Sequence, residues 1–276
     1  MHTRAIAFKI KSFVDAAVLP LYWLHGRPPW SVGYHTAKKR AIEAAIDRQA
    51  VRQGVNLPAG FGIAINERVV EYPWIFGHLI ETGKARPRVL DAGSILNHDC
   101  ILNRAPSKGS DLTIMTLAPE KYCRWYDGFS YVYGDLRETF FDDQTLDTVI
   151  CISTIEHIGL DNTLLYTSDQ QHAERDGAGF LAAAREFRRI LRPGGICYVS
   201  FRFGARQNLG WYQVFDESMG GSSWRHSARP LIRSNIFAIL RTAGNVQMRR
   251  VSRTPSFSTC TVDKARAVIA RRHREP

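Results

Sequence analysis

Cysteine is scarce and unpatterned: the five residues Cys100, Cys123, Cys151, Cys197 and Cys260 include no Cys-x-x-Cys pair. This argues against a disulfide framework and against a zinc site, and it fits a reducing, cytoplasmic compartment. Cys151 and Cys197 fall inside apolar runs and read as inert buried thiols. Long apolar runs are also missing. The most apolar N-terminal stretch, Ala5 to Leu24, is broken by Lys9, Lys11, Asp15 and Pro20, which argues against a membrane span and a signal peptide. There is no internal repeat and no low-complexity tract. Acidic residues are in deficit, with 26 Asp and Glu against 37 Lys and Arg, for a net charge of +11.

That excess is uneven. Residues 1–54 carry +6, residues 222–276 carry +10, and the middle, 55–221, carries −5. Basic flanks suit nucleic acid, anionic lipid or phosphorylated substrates, or are a solvated arginine-rich surface. The length of 276 residues suits one large domain with appendages, and 45% hydrophobic content is enough for a full core. Near the N-terminus Ile6, Ile10, Phe13, Val14, Ala17, Val18 and Leu21 recur at helical spacing beside Arg4, Lys9 and Lys11. Such a stripe docks on the protein's own core or lies on an anionic membrane surface through residues 5–24, peripheral to the inner face.

Residues 25–34 are rich in Pro and Gly and read as a linker. Helices are predicted over 36–52 and 67–82. From residue 87 short apolar runs alternate with amphipathic stretches. Strands are predicted at 87–91, 111–117, 129–133, 146–152 and 195–202, with the clearest helix at 174–191. A further helix (231–242) and strands near 246–252 and 256–262 follow, then a basic tail. The alternation predicts a parallel sheet covered on both sides.

Four segments carry polar residues to strand ends. Arg88-Val89-Leu90-Asp91-Ala92-Gly93-Ser94 reads as a buried strand, an acid and a tight turn, although Ile95 stands where a phosphate-cradling loop has a second glycine. In Tyr131-Val132-Tyr133-Gly134-Asp135-Leu136-Arg137, Asp135 can accept hydrogen bonds from an exocyclic amine or a hydroxyl. The run from Asp147 to Ile152 feeds Ser153, Thr154, Glu156 and His157 to the crevice where open α/β sheets bind ligands. Leu191-Arg192-Pro193-Gly194-Gly195 turns the chain into the next strand. Phe201, Phe203, Trp211, Tyr212 and Phe215 then offer aromatic faces suited to sugar rings. Nothing points to a metal: Asp142 and Asp143 fall at a turn.

In order and spacing these segments resemble a class I S-adenosylmethionine-dependent methyltransferase over roughly residues 67–262. Asp91-Ala92-Gly93-Ser94 with Asn97-His98, Glu71-Tyr72-Pro73-Trp74, and Phe203-Gly204 with Trp211 are similar to bacterial methyltransferases encoded among surface-glycan genes. The resemblance implies a Rossmann-like three-layer sandwich with a mostly parallel seven-stranded sheet. It would span 67–262, after a helical extension (1–66) and before a basic tail (263–276). It implies S-adenosylmethionine as cofactor, held by Asp91, Ala92, Gly93, Ser94, Asn97, Thr116, Asp135, Leu136, Ser153 and Thr154. His157 is the candidate general base, with Glu156 orienting it or serving itself; His98 and His172 are further candidates.

Two departures stand out: a single glycine in the first motif, and no acid ending Leu112-Thr113-Ile114-Met115-Thr116-Leu117. Glu120 or Asn97 can substitute for the second. The acceptor expected is a hydroxyl on a sugar or glycan intermediate. A nucleic-acid, lipid or small-molecule methyltransferase, and a non-catalytic protein with a degenerate pocket, remain as alternatives.

Overall fold

A computed structural model describes residues 17–48, 62, 65–81, 85–120, 122–167, 169–216, 218–219, 233–242 and 245–250, the last two stretches as backbone only. Helices α1 (Tyr34–Asp47) and α2 (Arg68–Glu81) precede β1 (Arg88–Ala92), β2 (Asp111–Thr116), β3 (Ser130–Tyr133) and β4 (Leu146–Ile152). Helix α3 (Gly179–Ile190) leads into β5 (Leu191–Arg202), followed by β6 (Gln207–Asn208), β7 (Gln213–Val214), β8 (Arg233–Thr242) and β9 (Asn245–Arg250).

A Rossmann-like parallel core of five strands runs in the order β3-β2-β1-β4-β5. All seven residues of β4 are buried, as expected of a strand covered on both faces. The two-residue period of a strand divides these side chains between layers. Val89, Ile114, Ile150 and Ile152 pack with α1 and α2 residues such as Ile42, Val70 and Trp74. Leu90, Val149, Cys151 and Val199 pack on the opposite face with Phe180, Ala184 and Phe187 of α3. Three layers follow directly from that alternation. Cys151 and Cys197 are free and buried, as expected, and burial pushes the Cys197 thiol up to about 12.

The chain steps outward through β1, β2 and β3 and then returns to place β4 on the other side of β1. The strand order therefore reverses between β1 and β4, and the crevice outside their carboxyl ends is where such sheets bind ligands.

Beyond β5 the backbone departs from the sequence expectation. Residues 231–242 were expected to be helical, but Arg233–Thr242 is a strand parallel to β5, with Ile196 opposite Arg233 and Arg202 opposite Ile239. Strand β9 pairs antiparallel with β8. Ile236, Phe237, Ile239 and Leu240 form a short apolar run that periodicity alone does not assign, and the edge of β5 offers unpaired backbone groups. The strand expected at 256–262 and the tail 263–276 lie outside the described residues.

The N-terminal stripe is only partly described. Residues 17–24 are helical, and Leu19 and Tyr22 are buried with Tyr34 and Ala37 of α1. No helix among the described residues is long and apolar enough to cross a membrane.

Phe187 is fully enclosed beneath the sheet. Its replacement by Ala should cost about 3–5 kcal/mol, read as a lower urea midpoint at unchanged denaturant slope.

Candidate functional site

The turn after β1 is built by Asp91. Its buried carboxylate accepts the Leu96 N–H at 2.8 Å and so folds residues 92–96 back over the strand end. Gly93 follows at φ +116°, with its N–H donating to the Met115 carbonyl at 2.8 Å. A Cβ on Gly93 would lie 2.2 Å from Thr154 Oγ1. Glycine is thus required because the turns after β1 and β4 meet face to face. Burial pushes the Asp91 carboxyl up to about 7, against the pull of the Leu96 and Ile95 N–H groups.

Glu120 stands across from this turn. Its Oε2 accepts from Ser94 Oγ at 2.8 Å and from Asn97 Nδ2 at 2.7 Å. Asn97 also donates to the Tyr122 carbonyl at 2.7 Å and accepts from Tyr131 at 2.9 Å, so it braces Glu120. Beyond β3, Arg137 grips Asp135 through Nε at 2.9 and 3.0 Å. Its two Nη atoms reach Glu174 at 2.6 Å each. Burial would raise the Asp135 carboxyl, but the Arg137 guanidinium holds it below the usual carboxylate range.

On the β4 side, Ser153 is held at φ +42°. Its Oγ donates to Glu71 Oε1 at 2.7 Å, and Ser200 Oγ donates to the same oxygen at 2.6 Å. The other Glu71 oxygen pairs with Arg68. Burial opposes the Arg68 charge and Glu71 more than restores it, so this guanidinium stays charged inside the protein. His157 Nδ1 lies 2.8 Å from the Trp211 carbonyl. A carbonyl only accepts, so Nδ1 carries the proton and Nε2 keeps its lone pair. Burial lowers the ring's pKa and favours that neutral form.

These elements line one half-open cavity of about 370 Å³. It is lined by Gly93 and Ser94 after β1, Thr116 at the end of β2, Asp135 and Leu136 after β3, and Ser153, Thr154 and His157 after β4. The segment 158–174 covers it, carrying Asn162, Tyr166, His172 and Glu174. That segment is closed at its base, where the Asp176 N–H donates to the Gly159 carbonyl at 2.7 Å, and the Arg137–Glu174 pair fastens it two residues earlier.

Several expected residues are not in the lining. Asp91 and Ala92 lie beneath it, fully buried, and Asn97 supports it through Glu120. Glu156, expected beside His157 as a catalytic group, is fully buried away from the cavity and makes no hydrogen bond to another described residue. The one-turn helix Ile155–His157 points the two side chains in different directions, and burial pushes the Glu156 carboxyl up to about 8. Of the aromatic cluster, Phe201 and Phe215 belong to the core with Phe180, and Trp211 is the member that reaches the cavity. His98 is exposed and does not line it.

Arg68 and Glu120 are charged lining residues outside the main set of sequence candidates. Arg68 sits three residues before Glu71, a spacing that puts both on one helix face, but nothing in the sequence marks the pair as buried. Glu120 lines the cavity from the loop after β2, where it was weighed as a substitute acid.

No protein-family model matches the chain, and no curated protein does. Solved structures do show likeness. One is the complex between the Haloferax volcanii Trm112 methyltransferase activator and a protein described as a methyltransferase. It is 16% identical, with TM-score 0.38, over 59% of this chain and 67% of that one. The [4+2]-cyclase SpnF is 18% identical, with TM-score 0.38, over 58% of this chain and 53% of that one. A protein from Bacillus halodurans, also described as a methyltransferase, is 19% identical, with TM-score 0.30, over 43% of this chain and 46% of that one.

Removing Glu71 leaves Arg68 charged and unpaired. Glu71→Ala should cost about 3–5 kcal/mol by urea denaturation, and Arg68→Met with Glu71→Leu together should recover most of that loss. Asp91 and Glu156 keep in the folded state protons that the unfolded chain releases from about pH 4 upward. Stability from these two groups therefore falls as pH rises from about 4 to about 8. Asp91→Asn and Glu156→Gln should flatten that decline, measured as urea midpoints at pH 5 and pH 8.

Proposed function

We propose that this protein is an S-adenosylmethionine-dependent methyltransferase that O-methylates a hydroxyl of a sugar or glycan intermediate. The observation carrying the reading is the convergence of Gly93, Asp135 and Ser153, from the ends of three parallel strands, on one cavity at the strand-order reversal. The cavity's volume lies within the range of small-molecule sites.

The donors and acceptors present fit the cofactor. Arg68 is a mostly buried cation suited to an amino-acid carboxylate. Glu120, held by Ser94 and Asn97, supplies an acid for ribose hydroxyls where β2 ends in Thr116 instead of a carboxylate. Asp135 and Leu136 offer a hydrogen-bond acceptor and an apolar surface for adenine. The buried Thr116 hydroxyl at this wall has no partner among the described residues. When bound, S-adenosylmethionine supplies a methyl group already activated on a sulfonium, so the protein's task is alignment and proton removal.

His157 performs the second task. With Nδ1–H fixed on the Trp211 carbonyl, Nε2 is the acceptor for a hydroxyl proton, and the lowered pKa keeps the base free at neutral pH. Trp211 presents an aromatic surface at the same wall, suited to the apolar face of a sugar ring.

Calorimetric titration with S-adenosylhomocysteine tests the cofactor assignment. The wild-type protein should bind it, and Asp135→Ala and Arg68→Met should each weaken binding at least about tenfold. His157→Ala should bind it unchanged while transfer of labelled methyl to a panel of free and nucleotide-linked sugars falls by about 10²–10⁴. No binding by the wild-type protein would favour a degenerate pocket. Steeply salt-dependent RNA or DNA binding with methyl incorporation would favour a nucleic-acid acceptor.

A further inference from the structure

The N-terminal end of the described structure carries an apolar surface that the cavity does not use. Leu21 is 47% exposed, Trp23 59%, Leu24 80%, Trp30 71% and Val32 68%. Scattered apolar residues on a surface need no explanation, but these are contiguous. Trp23 packs edge-on to Tyr22 at 6.3 Å between ring centroids, Tyr22 to Tyr34 at 6.3 Å, and Tyr34 to Trp30 at 5.1 Å. The inner tyrosines are buried, and the two outer tryptophans are left in solvent.

The backbone holds this arrangement. The helical stretch 17–24 ends where the His25, Gly26 and Arg27 N–H groups donate to the Leu21, Trp23 and Tyr22 carbonyls. Trp30 is then held at φ +66°, a left-handed conformation that strains a bulky L-residue. That strain is met without burying the ring.

Charge identifies what this surface meets. Residues 16–42 contain no Asp or Glu and include Arg27, Lys38, Lys39 and Arg40. The Arg27 guanidinium lies 5.0 Å from the Trp23 ring centroid, and Lys39 and Arg40 are exposed on α1. Tryptophan beside leucine, with Arg27 against the ring and no acid within residues 16–42, is the composition of a segment lying in the interface of an anionic bilayer. A protein partner large enough to cover the patch would need no such one-sided charge.

We infer that residues 21–32 form a peripheral docking surface for anionic lipid membranes, with Trp23, Leu24, Trp30 and Val32 entering the headgroup region and Arg27 and Arg40 facing lipid phosphates. The surface shares residues 21–24 with the N-terminal stretch 5–24, of which residues 5–16 lie outside the described residues. It is independent of the methyltransferase reading and stands or falls separately from it.

The test is flotation of the full-length protein with vesicles of phosphatidylcholine alone or with 30% phosphatidylglycerol. The protein should float with the anionic vesicles and not with the neutral ones. Removing the charge of Arg27 or of Arg40 should each weaken partitioning about fivefold. The variant Trp23→Ser/Leu24→Ser/Trp30→Ser should stay at the bottom of the gradient while keeping the wild-type melting temperature. Quenching of tryptophan emission by brominated lipid should disappear with it. Absence of flotation, or flotation unchanged in the triple variant, overturns the proposal. So does a wild-type dimer by light scattering that becomes monomeric in the triple variant without any vesicle binding, because the patch would then join two copies of this chain.

Discussion

A parallel sheet covered on both faces has no polar surface except at its ends. Strands β1 and β4 are buried almost throughout, so hydrogen-bonding side chains can appear only where those strands stop. The reversal of strand order between them then keeps any connection from filling the space beyond. The polar groups that follow β1 and β4 at the cavity are a consequence of these two constraints, while Arg68 is brought in by α2 and Glu120 by the loop after β2. The close packing of Gly93 against Thr154 is where they become tightest, since no larger residue fits between the two turns.

A second layer of polar contacts makes this edge rigid. Glu71 reaches from α2 to Ser153 just after β4 and to Ser200 on β5 while holding Arg68 at the cavity wall. One carboxylate thus couples the helical N-terminal part to the sheet and sets the position of a buried cation. On the opposite rim Arg137 joins Asp135 to Glu174 and ties the covering segment to the end of β3. Both arginines are paired with acids that also meet the cavity or its supports, so binding a charged ligand would redistribute existing ion pairs and would not bury new, unpaired charge.

The proposed chemistry asks little of the protein beyond geometry. An aligned acceptor, a neutral imidazole with its tautomer fixed by a backbone carbonyl, and a covered cavity are sufficient for transfer from an activated donor. Glu156 has no part in this as a charged group. Its carboxyl is buried and pushed up to about 8, so at neutral pH it is mostly protonated and acts as packing beneath the site.

The segments 88–92, 111–116, 130–133 and 146–152 were legible as strands because apolar runs bounded by turn residues determine them locally. The polar ends Gly93, Asp135, Ser153 and His157 were legible for the same reason, since a strand's direction decides which end is its tip. Residues 233–242 were misread because a short apolar run satisfies both periods, and the neighbouring β5 edge decided between them. Arg68, the bracing roles of Asn97 and Asp91, and the burial of Glu156 away from the cavity were hidden. Each depends on residues that are distant in sequence and adjacent only after folding. Local patterning therefore determined the layers and which residues stand at their ends. Only the tertiary structure decided which of those residues face the cavity and which hold it, because burial and hydrogen-bond partnership are properties of the packed chain.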